Sequence, residues 1–324
     1  MISDGFLVVD KPPGVTSHDV VAIVRNVTGL KKVGHTGTLD PFATGVLPLA
    51  LGGATRLIAF LDEREKVYDA TVVLGSQTDT GDPTGTVVAE AAVPVPRRER
   101  VEAVLAAMVG EREQTPPRYS AVKIAGRPLY DYARAGQEVE AKARRISIHA
   151  MDLLGLEAAT IRVRIRCSRG TYARVIAEEI GVALGTVAHL GDLRREASGP
   201  FTLESAVSMS RLSSIVAGLP EWVRVLRPQR GDDRVAWRER AEVVSGLQPW
   251  MIPAATALGH LQKLALSPIE LRRLLTAGTA PPLTGTGATV LMDGREVVGV
   301  VAPGQRPVVL AREGEPPPRR ATNS

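Results

Sequence analysis

Residues 160–167 read Thr-Ile-Arg-Val-Arg-Ile-Arg-Cys, a strict alternation of apolar and basic side chains. A period of two residues makes this a strand, with Ile161, Val163, Ile165 and Cys167 on a buried face and three arginines on a wet one. Helical spacing takes over directly after it: from Gly170 to Leu184, Val175, Ile176, Ile180 and Leu184 face inward. Upstream, residues 6–10 (Phe-Leu-Val-Val-Asp) form a short apolar strand halted by Lys11-Pro12-Pro13-Gly14. Thr16 and Asp19 have capping-box spacing, and Val20, Val21, Ile23, Val24 and Val27 then recur at helical period. Residues 31–53, rich in glycine, threonine and proline, read as an ordered loop with short helical pieces. A helix is expected over 55–61 and a strand over 67–74. A polar loop then leads to a strand at 86–88, as in a long hairpin, and an amphipathic helix covers 97–108. Strands and helices mixed without strict βα alternation predict an α+β fold rather than a doubly wound sheet.

Composition narrows the class of partner. Basic residues exceed acidic ones by 5, and only seven of the 40 are lysine. Arginine grips phosphate through a planar fork, which fits a nucleic-acid partner. The single cysteine, Cys167, excludes an intramolecular disulfide framework and a multi-cysteine metal site. No signal peptide and no membrane span are expected from the sequence, so the chain reads as soluble, cytoplasmic and reduced.

The composition shifts over 212–250, which is charged and loosely periodic. Beyond it come a helix from Ser267 to Ala277, a Pro/Gly-rich loop, and short strands at 288–293, 296–301 and 307–311. Asp293-Gly294 marks a hairpin between the first two. These make a small β-rich module, followed by a tail (EGEPPPRRATNS) that reads as disordered.

The most unusual stretch is GHTGTLDPFATGVLP, residues 34–48. Glycines at 34, 37 and 45 permit positive φ and close backbone approach. Pro41 keeps Asp40 out of helical geometry, so its carboxylate is presented from an extended turn. His35, Leu39 and Phe42 keep it company.

This stretch resembles the catalytic motif of the bacterial tRNA pseudouridine-55 synthases, the TruB family. Further segments match that family in order: Asp10-Lys11-Pro12-Pro13-Gly14-Val15-Thr16-Ser17, then Lys66-Val67-Tyr68, then Ser168-Arg169-Gly170-Thr171-Tyr172-Ala173-Arg174. Ala188-His189-Leu190 and Leu193-Arg194-Arg195 match its last motif. The resemblance covers residues 5–210 closely and the C-terminal module loosely. It implies a mixed, mainly antiparallel catalytic domain of the pseudouridine synthase type over 1–250. It also implies a PUA-like RNA-binding β-barrel module over 251–315 and a disordered tail over 316–324.

The implied activity turns a uridine of the tRNA T loop into pseudouridine at position 55. That reaction breaks the uracil N1–ribose bond, turns the base and rejoins it through C5. No electron or group enters or leaves, so no cofactor or metal is expected. Asp40 would serve as nucleophile toward C1′ or as base toward the 2′ hydrogen. By resemblance Arg174 is its counter-ion, opposing the rise in pKa that a dry pocket imposes. Tyr68 would stack on the uracil with its phenol near C5, and a phenol with a pKa of about 10 favours an assisted proton transfer over a free phenolate. His35 would fill the stack vacated by the flipped base, Tyr172 would support the Asp40–Arg174 pair, and Leu193 would line the uracil pocket. Arg56 stands where the family commonly has lysine, and either side chain carries the charge. The implied partner is tRNA, held at the T arm and, through the C-terminal module, at the acceptor stem, by a monomer with no obligate protein partner. Two rivals are an RNA-binding or tRNA-folding protein without catalysis and an RNA-guided synthase of the dyskerin type. Asp79-Thr80-Gly81 spells the aspartic-protease triplet but occurs once, and Asp79 and Asp82 lack the remaining pattern of a calcium loop, so both read as turn residues.

Overall fold

The computed structural model describes residues 4–62, 64–95, 97–217, 246–283 and 285–310. Most of the charged stretch after 212 and the whole expected tail lie outside the described residues. The first half of the chain supplies β1 (Gly5–Lys11), α1 (Ser17–Thr28), β2 (Val33–His35), β3 (Thr44–Leu51), β4 (Glu65–Leu74), β5 (Ser76–Thr78) and β6 (Val87–Glu90). Next come α2 (Arg98–Ala107), β7 (Gly110–Gln114), β8 (Lys123–Ile124), β9 (Arg127–Pro128) and α3 (Leu129–Arg134). β10 (Arg144–Leu156) follows, and the later motifs fall at the end of β11 (Thr160–Ser168), at the start of α4 (Ala173–Leu184) and on β12 (Ala188–Ser198). The strands β13 (Phe201–Thr202), β14 (Ala206–Ser208), β15 (Met251–Pro253), β16 (Gln262–Ala265), β17 (Thr289–Asp293), β18 (Glu296–Val301) and β19 (Val308–Val309) follow.

Eleven strands form one mixed sheet in the order β14-β1-β3-β12-β4-β11-β10-β7, with β13 on β12, β15 on β1 and β2 on β3. Only β1–β14 and β3–β12 pair in parallel; the other pairings are antiparallel. The fold is therefore α+β and mainly antiparallel, as the mixed pattern predicts. β11 lies between β4 and β10, with Ile161, Val163, Ile165 and Cys167 buried. Its three arginines face the opposite side and meet carboxylates: Arg162 pairs with Asp69, Arg164 with Glu196 and Arg166 with Glu65. These arginines answer the protein's own acids rather than a phosphate backbone.

Each face of the sheet carries its own core. One packs Val20, Val24, Leu105, Ile176 and Ile180 of α1, α2 and α4 against Leu7, Leu47, Val72 and Val163. The other packs Phe6, Val8, Val46 and Phe201 against Ala254, Leu258, Val290 and Val300 of the C-terminal segment. That segment forms a four-stranded sheet, β16-β17-β18-β19, with the helix Pro268–Ala277 and the expected turn at Gly294. Residues 251–253 extend the large sheet instead, so the C-terminal segment starts inside the catalytic core.

Three local expectations need correction. Residues 31–53 hold β2 and β3 rather than a loop with helical pieces. Pro48 misleads there: its carbonyl accepts from Thr36 N, so its missing N–H lies on the flank just past the end of β2, where no ladder bond is required. The helix expected at 55–61 is a 3-10 helix over Gly52–Phe60. The helix expected from Gly170 begins at Ala173, because Gly170 turns at φ 84° and Tyr172 remains extended.

Candidate active site

Asp40 sits in a short span whose every neighbour is fastened to another part of the chain. Leu39 N donates to Ser17 Oγ at 2.9 Å, and that hydroxyl, at the start of α1, lies 3.2 Å from the Leu39 carbonyl. The Pro41 carbonyl accepts from Gly14 N at 2.8 Å and from Lys11 Nζ at 3.1 Å. Arg195 donates to the carbonyls of Gly37, Thr38 and Val46. Lys11 and Arg195 are both fully buried, and each ends on three backbone carbonyls, those of Lys11 being Pro12, Val15 and Pro41. Gly45 is required by this packing: at φ 100°, a Cβ would come within 2.2 Å of the Arg195 carbonyl.

Arg174 enters from the first turn of α4 and meets Asp40 at two points, Nε–Oδ2 at 3.1 Å and Nη2–Oδ1 at 3.4 Å. It is buried and donates also to the carbonyls of Thr80 (2.9 Å) and Tyr119 (2.8 Å). A second carboxylate, Asp82 Oδ2, lies 3.7 Å from Arg174 Nη1. Asp82 is a turn residue, as expected, its Oδ1 accepting from Thr84 N and Thr80 Oγ1. It is also buried against the counter-ion, which sequence reading missed because the D-T-G-D stretch looked like loop. Burial pushes the Asp40 carboxyl above its ordinary value; Arg174 and Lys11 draw it down and Asp82 adds to the rise.

Tyr68 lies on β4 directly across from Arg195 of β12. Burial pushes its phenol up to about 12, while the Arg195 guanidinium pulls the other way. Asp40, Tyr68, Tyr172, Arg174 and Leu193 all line one pocket of about 480 Å³, within the usual range of small-ligand sites. Lys66, Tyr119, Ser120, Tyr130 and Thr171 also line it. Ser120 Oγ is buried without a protein partner, a hydroxyl that sequence reading gave no reason to single out.

The other two expected site residues stand apart. His35 ends β2 and meets His18, a pocket-lining residue, edge to face at 5.1 Å. Burial first, then the charge of His18, holds its imidazole below the ordinary value. Arg56 donates to the Val309 carbonyl at 2.7 Å, fastening the 3-10 helix to the C-terminal sheet, and does not line the pocket. The segment over 115–137 carries the β8–β9 hairpin and α3, with Arg127 stacked over Tyr132 and Arg134 over Tyr130. Gln114 clamps the entry to α4 through both the N–H and the carbonyl of Tyr172.

Known proteins share this arrangement of sequence and fold. The model of the TruB family pseudouridylate synthase N-terminal domain matches residues 25–173, and that of the tRNA pseudouridylate synthase B C-terminal domain matches residues 174–226. The tRNA pseudouridine synthase B of Aromatoleum aromaticum is 49% identical over 216 residues, covering 67% of this chain and 70% of that protein. The tRNA pseudouridine synthase B of Geobacter sulfurreducens is 41% identical over 303 residues, covering 90% of this chain and 91% of the relative. Among solved structures, a chain of a Cbf5-Nop10-Gar1 complex superposes with a TM-score of 0.63 at 27% identity, covering 91% of this chain and 77% of that one.

Proposed function

This chain belongs to the TruB family of pseudouridylate synthases and converts uridine in tRNA to pseudouridine; from that premise we propose that its target is the T-loop uridine at position 55. The observation that carries the reading is the Asp40–Arg174 pair at 3.1 and 3.4 Å in a pocket shared with Tyr68. Asp40, ionised by its counter-ion, attacks C1′ or removes the 2′ hydrogen, and either route releases uracil from N1. The freed base turns against Tyr68 and Leu193 and rejoins ribose through C5, where Tyr68 handles the departing proton. Tyr172 supports the Asp40–Arg174 pair, and His35 fills the space left by the extruded base, offsetting part of an unstacking cost of a few kcal/mol.

The enzyme acts alone, as a monomer in the cytoplasm, without a guide RNA. Identities of 41–49% to relatives named tRNA pseudouridine synthase B against 27% to a chain of a Cbf5-Nop10-Gar1 complex favour this over a guided synthase. The C-terminal segment contacts the acceptor stem as a PUA-like module, with Lys263, Arg272 and Arg273 exposed for phosphate. Among the described residues, no helix is long and apolar enough to cross a membrane.

The deciding experiment incubates the purified protein alone with unmodified tRNA and maps pseudouridine at single-nucleotide resolution. Conversion of one T-loop uridine supports the reading; absence of product without a guide RNA or partner ends it. Replacing Lys263, Arg272 and Arg273 together with alanine should weaken binding of whole tRNA several-fold and leave a T-arm hairpin unaffected. Equal binding of whole tRNA by that variant removes the acceptor-stem contact.

A further inference from the structure

Arg195 is an arginine where a sheet residue would be expected. β3 pairs with β12 through Thr44 and Gly45 and with β2 from Leu49 onward, which leaves a gap on that flank between the two partners. The Arg195 side chain fills it. Its Nε donates to the Val46 carbonyl at 2.7 Å, and its two terminal nitrogens reach the carbonyls of Thr38 and Gly37 at 3.3 and 3.2 Å. Three of the five guanidinium N–H groups are thereby used, and the guanidinium draws the Tyr68 phenol down against the rise that burial imposes. The strand register sets the two side chains beside each other, because Arg195 and Tyr68 are direct cross-strand partners on one face.

Chemistry fixes the direction of a hydrogen bond between these neighbours. Guanidinium has donors and no acceptor, so the phenolic oxygen must accept from it. The phenol's own proton is then free to point elsewhere. We propose that Arg195 is a positioning residue for proton transfer at Tyr68, holding the phenolic oxygen as an acceptor so that its proton faces the bound base. This rests on the assignment of Tyr68 to the C5 proton.

The step balances without another reactant. After C5 has bonded to C1′, the ring carries a hydrogen on C5 and a C6=N1 double bond. The C5–H bond breaks and its electron pair forms C5=C6, while the C6=N1 pair returns to N1. The Tyr68 oxygen receives the C5 proton and gives its own proton to N1, one ring atom beyond C6. An oxygen that gives before it receives carries transient negative charge, and the neighbouring guanidinium stabilises that order of events. The three carbonyl contacts keep the cation from swinging toward Asp40 instead, and they tie the Asp40 span to the Tyr68 strand.

The test compares wild type, Arg195→Lys and Arg195→Met in single turnover on a T-arm hairpin whose target uridine carries hydrogen or deuterium at C5. Thermal unfolding and hairpin binding serve as controls. In a folded variant, hairpin affinity should stay within about twofold, and the rate should fall roughly 10–100-fold, the span of a lost hydrogen bond to a charged group. The C5 deuterium effect should grow beyond that of wild type. In a Tyr68→Phe background the same substitution should cost less than about twofold. A slowed variant with an unchanged isotope effect, or a full loss repeated in the Tyr68→Phe background, overturns the proposal and reduces Arg195 to a loop clamp. If neither variant folds, the Raman tyrosine doublet isolated as wild type minus Tyr68→Phe decides: an acceptor signature supports the proposal, and a donor-only signature overturns it. Full activity of Tyr68→Phe would instead remove the role given to Tyr68 itself.

Discussion

Arg194 and Arg195 are consecutive residues of one strand, and the sheet treats them in opposite ways. Arg194 points to the wet face, pairs with Asp10 at 2.8 Å and keeps 39% of its side chain exposed. Arg195 points to the pocket face, is fully buried and ends on backbone carbonyls. The wet face is laced with arginine–carboxylate pairs of the ordinary surface kind. The pocket face gathers Arg174, Arg195 and Lys11 around carboxylates too few to neutralise them locally, and carbonyl dipoles make up the difference. Charge on the wet face is tolerated; charge on the pocket face is organised.

The contrast can be pressed hardest at Asp40. Asp40→Asn keeps the shape and removes the anion, so pseudouridine formation should fall by about 10⁴-fold while tRNA still binds, as a gel-shift titration alongside the product assay would show. Tyr68→Phe should lower turnover by about 10²–10⁴-fold with binding intact. At the paired arginines, Arg195→Ala leaves three carbonyls without this donor, that of Val46 buried, and a cavity behind. Chemical denaturation should register a loss on the order of 3–5 kcal/mol. Arg194→Ala should cost about 1 kcal/mol or less, as an exposed ion pair does. Equal losses at 194 and 195 would dissolve the distinction between the faces.

The pH response sharpens it further. Asp40 titrates above its ordinary value, so activity should fail on acidification earlier than an exposed aspartate would predict. Burial lowers Lys11 to about 8, so the alkaline limb should set in near that pH, when a neutral amine no longer serves three carbonyls. Stability should move the other way. Between about 8 and the ordinary 10.5 the unfolded chain holds the Lys11 proton and the folded chain has released it, so this group adds stability as pH rises, on the order of 3 kcal/mol at most. Activity falling while unfolding shifts to higher denaturant is the expected signature. Lys11→Met should abolish that gain in stability.

Much of this was legible in the sequence. The alternation of 160–167 and the capping box at Thr16 identify their elements through local periodicity, which needs no tertiary information. Asp40, Tyr68, Tyr172, Arg174 and Leu193 do converge on one pocket. What stayed hidden depends on long-range contact. A lysine before Pro-Pro-Gly reads as exposed, and only the return of Pro41 over it makes it a buried brace. β3 is disguised by Gly45 and Pro48, whose tolerance follows from a close approach by β12 and a gap beside β2. Asp82 resembles any turn aspartate until Arg174 arrives from a helix some 90 residues later. Arg56 is assigned to substrate by resemblance alone, and nothing local shows that its guanidinium reaches a carbonyl 253 residues away.

The pairing of β1 also sets a clock on synthesis. Once made on a ribosome, β1 cannot complete one edge until Met251–Pro253 arrive, about 245 residues later. At translation speeds of about 5–20 residues per second, that wait lasts roughly 12–50 s. Throughout it, Phe6 and Val8 lack the C-terminal apolar residues that cover them in the finished fold. The nascent chain therefore carries a sticky half-strand throughout that interval, and termination before residue 251 would release a polypeptide with all of the pocket residues and an uncovered back.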